Sequence, residues 1–204
     1  MSIIDLGKIK LVWRGAYDAA TSYEADDVVS YQGASYIATG SEAFSNISPP
    51  NAPWQLMAKG LGQTIQNEVV DPYYWSTTAS KEITPLTTSI TPINQTSKIL
   101  VSINLFYESH NDAVFRLYRD GVELSVPSNP GKRRAGILTP DYDSNNSSTP
   151  AHGCIQFLDA PNTTDEVTYR LYHEGQALAL NRTLGNTDNS AYERGTSRMI
   201  LMEV

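Results

Sequence analysis

The chain has 204 residues, 40% of them apolar, with 12 tyrosines, three tryptophans and a formal net charge of −7. That apolar content supports a packed core and excludes global disorder, and the acidic balance argues against nucleic acid as a partner. One cysteine, Cys154, excludes an internal disulfide framework.

Residues 1–10 hold no long apolar run and no small-residue cleavage site, so no signal peptide is read there. No stretch approaches the roughly 20 apolar residues of a membrane span. A soluble protein made in a cytosol, with no membrane insertion, is expected.

From about Lys10 to Lys59 the chain is dense in aromatics set between turn residues: Trp13, Tyr17, Tyr23, Tyr31, Tyr36, Phe44 and Trp54. So many rings in so short a stretch predict a small three-stranded β-module whose core is built from rings rather than aliphatics. Trp13, Tyr23, Tyr31, Tyr36 and Trp54 are assigned to that core. Tyr17 and Phe44 border polar, turn-like segments and are the candidates for exposed rings that stack on sugar faces.

Gly60 and Gly62 mark a hinge, which divides the chain into a module at 1–60 and a second domain at 63–204. Beyond the hinge no segment carries a helical period. Lys98 to Tyr107 alternates Ile99, Val101, Ile103 and Leu105 on one face with Ser102 and Asn104 on the other, a strand with one wet side. Phe115 to Leu124 and Tyr169 to Leu178 echo each other as strand, acidic-Gly turn, strand. Asp120-Gly121 and Glu174-Gly175 predict two similar hairpins. Ser125 to Pro150, rich in proline, glycine and asparagine, reads as long surface loops, and Arg198 to Val204 as a closing strand. Together these predict an antiparallel, jelly-roll-like β-sandwich.

Chemistry-bearing patterns are sparse. No Gly-x-Ser-x-Gly elbow accompanies His110, His152 or His173, which read as surface or loop residues. The three histidines meet as metal ligands only across a symmetry axis, and no metal site is assigned. Asp141-x-Asp143-x-Asn145 begins like a calcium loop, but Asn146 replaces the required glycine and His152 the bidentate glutamate. Lys132-Arg133-Arg134 is the one basic run, read as a loop face or as a partner for a neighbouring subunit's carboxylates. Cys154, between Gly153 and Ile155, reads as a buried strand residue. Asn162-Thr163-Thr164 and Asn181-Arg182-Thr183 read as polar loops. No carboxylate pair is held in a cleft by any sequence device, so a non-enzymatic chain without cofactors is expected.

Asp27, Val29, Tyr31, Gly33, Tyr36 and Trp54 match, in order and spacing, the small chitin-binding type 3 (carbohydrate-binding) module. Thr39 to Phe44 stands where that family shows neighbouring tryptophans, which counts against chitin itself. Degenerate modules of this kind also resemble spacers in bacteriophage tail-fibre and virion proteins. The rest of the chain is similar to C-terminal domains of marine and cyanophage appendage proteins. The carriers are Ile90-Thr91-Pro92 before Ser97 to Val101, the Leu117-Tyr118-Arg119-Asp120-Gly121 turn, and the ending Arg194 to Val204. The resemblance implies a homotrimer in a virion, with other virion proteins and a host surface glycan as partners. It leaves two roles open: a tail fibre or appendage presenting the sandwich loops, or a capsid decoration or head-fibre protein docked through the aromatic module. An accessory module of a chitin-degrading enzyme is the weakest alternative.

Overall fold

A computed structural model describes residues 11–59, 62–76, 79–128, 130–141 and 148–204. Residues 60 and 61 of the expected hinge, and Asp143, Asn145 and Asn146 of the calcium-like run, lie outside the described residues. The chain divides into two compact units, Met1–Gly62 and Gln63–Val204. Both are built from β-strands, as the absence of helical periodicity predicts.

The first unit is a sheet of four strands rather than three: β1 (Val12–Ala16), β2 (Asp27–Tyr31), β3 (Ala34–Ala38) and β4 (Trp54–Lys59), in that spatial order. β1 runs parallel to β2, because residues 17–26 carry the chain back before the second strand begins. A tight turn joins β2 to β3, with Gln32 at φ 48° and Gly33 at φ 74° supplying its two left-handed positions. Tyr23, Val29, Ala38 and Trp54 form the nucleus, and Tyr17, Tyr36, Phe44 and Ile47 pack around it.

The second unit is a sandwich of two antiparallel sheets, which is the predicted class. One sheet orders β11 (Val122–Leu124), β10 (Val114–Arg119) and β13 (Val167–Glu174), with β7 (Lys81–Glu82) and β8 (Thr88–Ile90) both on the far edge of β13. The other centres on β9 (Ile99–Ser109). One edge of β9 carries β15 (Ser197–Glu203), then β5 (Thr64–Val69) beyond it. Its last residues pair with β14 (Ala177–Leu180), which carries β6 (Tyr73–Ser76). Its opposite edge carries β12 (Ala151–Asp159).

Strand alternation fixes the core. Ile99, Val101, Ile103 and Leu105 all point inward, between 0% and 2% exposed. They meet Phe115, Leu117, Tyr169 and Leu171 from the facing sheet in one hydrophobic cluster.

Three expectations are corrected by this arrangement. Asp120 and Gly121, at φ 48° and 85°, do close the β10–β11 hairpin, but Glu174-Gly175 carries the chain from one sheet to the other. Gly175 has no left-handed φ; a Cβ there would lie 2.5 Å from Ala113 Cβ, so it serves a close crossing. Cys154 is exposed, because register pairs its neighbours Gly153 and Ile155 with inward Leu105 and Ile103. His173, read as a surface residue, is 0% exposed.

Candidate functional site

In the first unit the rings that sequence reasoning left exposed are drawn inward. Tyr17 stacks on Tyr23 at 5.6 Å and meets Tyr31 and Trp54 edge-on at 5.6 and 6.1 Å. Phe44 meets Trp54 at 5.1 Å, while its backbone exchanges two hydrogen bonds with that of Tyr23. Both are therefore partly buried walls of the ring cluster rather than open platforms. Trp54 is anchored by its indole N–H, which donates to Ile47 O at 2.6 Å.

Of the five assigned core rings, Tyr23 and Trp54 are buried, and Tyr31 and Tyr36 are half-buried at its margin. Trp13 is corrected. It is 61% exposed, on the edge strand β1 and outside the cluster of Tyr23, Val29, Ala38 and Trp54.

Three concavities of the second unit lie at one end. Residues 107–114, where β9 crosses to β10, and 174–177, where β13 crosses to β14, contribute walls to three of its cavities. Loops 130–141, 148–151 and 182–185 surround them, within the segments read from sequence as surface loops.

The first cavity, about 390 Å³, is lined by Tyr107, Ser109, Pro140, Asp141, Thr149, Pro150 and Ala151. Burial, then the charge of Asp141, pushes the Tyr107 phenol up to about 12, so it stays a proton donor at neutral pH. Ser109 also touches His173, whose Nε2 lies 2.9 Å from its Oγ. That Oγ also lies 3.0 Å from Ala177 O, and the buried His173 Nδ1 has no hydrogen-bond partner among the described residues.

The second cavity, about 640 Å³, is bounded by Asp112, Lys132, Arg134, Thr139 and Glu174. Glu174 pairs with Arg116 Nη2 at 2.9 Å and Arg134 Nε at 3.5 Å. One member of the basic run thus pairs within its own chain.

The third cavity, about 370 Å³, lies against the outward side of β6 and β14, lined by Tyr74, Ser76, His110, Gln176, Ala177 and Leu184. Strand β6 alternates Trp75 into the core with Tyr74 and Ser76 outward, and Tyr74 is 50% exposed. The Arg182 guanidinium lies 5.0 Å from the Tyr74 ring centre. It is held there by its own donations, from Nε to Thr183 O and from Nη2 to Leu184 O, both 2.9 Å.

Glu108 braces the same loop. Although charged and outward on β9, it is 1% exposed, covered by the loops it binds. Its Oε2 accepts the Leu184 N–H at 2.6 Å and its Oε1 accepts the Thr149 hydroxyl at 2.9 Å. One buried carboxylate thus ties two loops to the central strand.

Tyr74, Glu108, Arg182 and Gln176 escaped the sequence reading. Arg182 fell inside a stretch read only as a polar loop, and Glu108 just past the end of a predicted strand. A charged residue becomes a brace only through loops some 40 and 76 positions away.

No known protein family matches the chain, and no curated protein matches it. Among the solved structures that match, that of infectious bursal disease virus Gx strain is similar at a TM-score of 0.32 and 11% identity over 85% of this chain. The chain spans about half of that structure's length, at 48%. At such values the likeness carries no weight for fold or role.

Proposed function

We propose that this protein is a non-enzymatic structural component of a bacteriophage virion, of the tail-fibre or appendage class, that presents the loop end of its sandwich to host cell-surface glycans. The observation that carries the reading is the braced loop end itself. Three concavities open there, each lined by its own residues of the β9–β10 and β13–β14 crossings and their flanking loops, and the flanking backbone is locked by Glu108 and Arg182. Recognition commonly sits on loops that a rigid sheet holds in place. In a homotrimer, as the appendage resemblance implies, weak single contacts add through simultaneous engagement.

Labelled full-length protein is expected to adsorb to cells of a susceptible bacterium and to lose adsorption once periodate has cleaved the surface glycans. Adsorption that survives periodate but not protease overturns the reading. Light scattering checks the assembly, which is expected at about three times the 22.5 kDa chain mass.

The second reading, a capsid decoration or head-fibre protein docked through its N-terminal unit, is favoured by one observation. That unit exposes Leu11, Trp13, Leu56 and Met57, each more than two-fifths accessible. Immunogold labelling of the particle separates head from tail.

A further inference from the structure

The third cavity carries the inference furthest, because its lining is chemically selective. It has one half-exposed aromatic wall, Tyr74, and one aliphatic wall, Leu184. Its polar groups are the Ser76 hydroxyl, the Gln176 amide and the His110 imidazole. Amide and hydroxyl groups both donate and accept, as the paired hydroxyls of a sugar require. Among the described residues, no carboxylate, ammonium or guanidinium lines it.

The neighbouring cavity is the opposite, walled by Asp112, Lys132, Arg134 and Glu174. A neutral ligand is therefore matched to the third cavity and an ion is not. At about 370 Å³ it lies at the small end of the roughly 300–1,000 Å³ range of small-molecule sites. That suits one or two sugar rings.

The platform is also pre-formed. Arg182 lies over the Tyr74 ring without lining the cavity, and its hydrogen bonds to the Thr183 and Leu184 carbonyls fix it there. Glu108 holds the Leu184 backbone from beneath. Neither the phenol nor the leucine wall has to be ordered when a ligand arrives, which lowers the cost of binding.

We infer that the cavity between Tyr74, Gln176 and Leu184 is a subsite for a neutral pyranose, whose C–H face stacks on Tyr74 while its hydroxyls pair with Gln176 and Ser76. This rests on the glycan-binding reading above and names the sugar class and the residues that read it.

The test immobilises neutral, sialylated and uronate-bearing oligosaccharides side by side and measures retention of the full-length chain. Retention on neutral glycans is expected, reduced at least tenfold by Tyr74→Ala and by Gln176→Ala. Glu166→Ala, in the exposed β12–β13 turn at the other end of the sandwich, should leave it unchanged. Tyr74→Phe keeps the ring and is expected to bind within about twofold of the native chain; its failure overturns the stacking geometry. Melting curves confirm that each variant is folded, and Gln176 is exposed enough for its truncation to leave the core untouched. Saturation-transfer NMR with a retained neutral disaccharide should place the strongest transfer on ring C–H protons.

Retention that survives both truncations, or that is confined to acidic glycans, overturns the subsite while leaving glycan recognition in place. A native chain retained by no glycan overturns the subsite and the glycan-binding function together.

Discussion

Glu108 and Leu184 lie 76 residues apart, and the glutamate's Oε2 accepts the leucine's backbone N–H at 2.6 Å in a site almost closed to water. Removing the carboxylate leaves the Leu184 amide and the Thr149 hydroxyl without that acceptor. Glu108→Ala is expected to cost roughly 1–3 kcal/mol, the penalty of an unsatisfied Leu184 amide plus a small void. Hydrogen exchange checks the local part: the Leu184 amide should exchange at least tenfold faster, and β10 amides should change little. Uniform acceleration across the sandwich would instead make Glu108 a global rather than a loop brace.

A second polar knot closes the same side of the sandwich. Asn181, 1% exposed at φ 59°, donates through Nδ2 to Val69 O at 2.7 Å and Asp71 O at 3.0 Å. Its Oδ1 accepts the Ser197 hydroxyl at 2.6 Å. Asn181→Ala should cost roughly 3 kcal/mol, since it removes the side-chain partner of two carbonyls and a hydroxyl and forces alanine into the left-handed region. Ser197→Ala should cost less: it removes that donor and the acceptor of the Phe106 N–H at 3.0 Å, but it forces no residue into the left-handed region. Urea midpoints of the two variants test that order.

His173 makes stability depend on pH. Burial lowers its imidazole to about 4 from an ordinary 6.5, with Trp75 and Phe115 against its ring and Ser109 on Nε2. The folded chain resists a proton that the unfolded chain accepts, so stability is full above pH 6.5 and falls as pH drops toward 4. The gap corresponds to roughly 3 kcal/mol. Burial raises the Glu203 carboxyl, but hydrogen bonds from Ser97, Gln63 and the Ile93 and Asn94 backbone together outweigh it, so its net position is below the ordinary value. Its contribution fades as pH falls through and below the ordinary carboxylate range, leaving most of the interval from 6.5 to about 4.5 to His173. Thermal melts of His173→Gln over that interval should be nearly flat, although lower throughout. A native-like slope in the variant would remove His173 as the cause.

The two turns that look alike in sequence show how far residues alone could be read. Alternation around Ile99 to Leu105 depends only on strand period and inward preference, so the core face was legible. The acidic-Gly pairs at 120–121 and 174–175 share local chemistry, yet one closes a hairpin and the other crosses between sheets. That choice is made by which strands lie beside β13 and β14, which no local pattern encodes. Cys154 failed for a related reason: its face follows from register with Asn104 on another strand. Trp13 failed because its strand lies at a sheet edge, outside the ring cluster. The third cavity was illegible because Tyr74, His110, Gln176 and Leu184 come from four separate stretches.

The same contrast predicts opposite signatures for two alanine substitutions. Gly121 sits at φ 85° with nothing within 4 Å of an added Cβ, so Gly121→Ala should cost about 1 kcal/mol of backbone strain. An added Cβ at Gly175 would meet Ala113 Cβ at 2.5 Å, an overpacking expected to cost roughly 1–3 kcal/mol. Pairing Gly175→Ala with Ala113→Gly should recover part of that loss, since Ala113 Cα at 3.0 Å and His173 Cε1 at 3.1 Å stay close to the added Cβ, and the same second change should do nothing for Gly121→Ala. Denaturation midpoints of the four variants decide it; equal response at both turns would contradict the separate causes.

Trp54 offers the sharpest test of the two-unit organisation. Its indole is 6% exposed, meets Tyr17, Tyr23 and Phe44 at 5.0–6.1 Å, and donates to Ile47 O. Trp54→Ala should therefore cost about 3–5 kcal/mol, which a four-stranded unit with so small a nucleus cannot absorb. The sandwich has its own hydrophobic cluster, running from Val69 to Leu201, and no residue of it comes from the first unit. Near-ultraviolet dichroism and limited proteolysis of the variant should show the first unit unfolded at room temperature and fragments beginning near residue 63 that still melt cooperatively. Loss of both units in one transition would mean that the ring cluster also supports the sandwich.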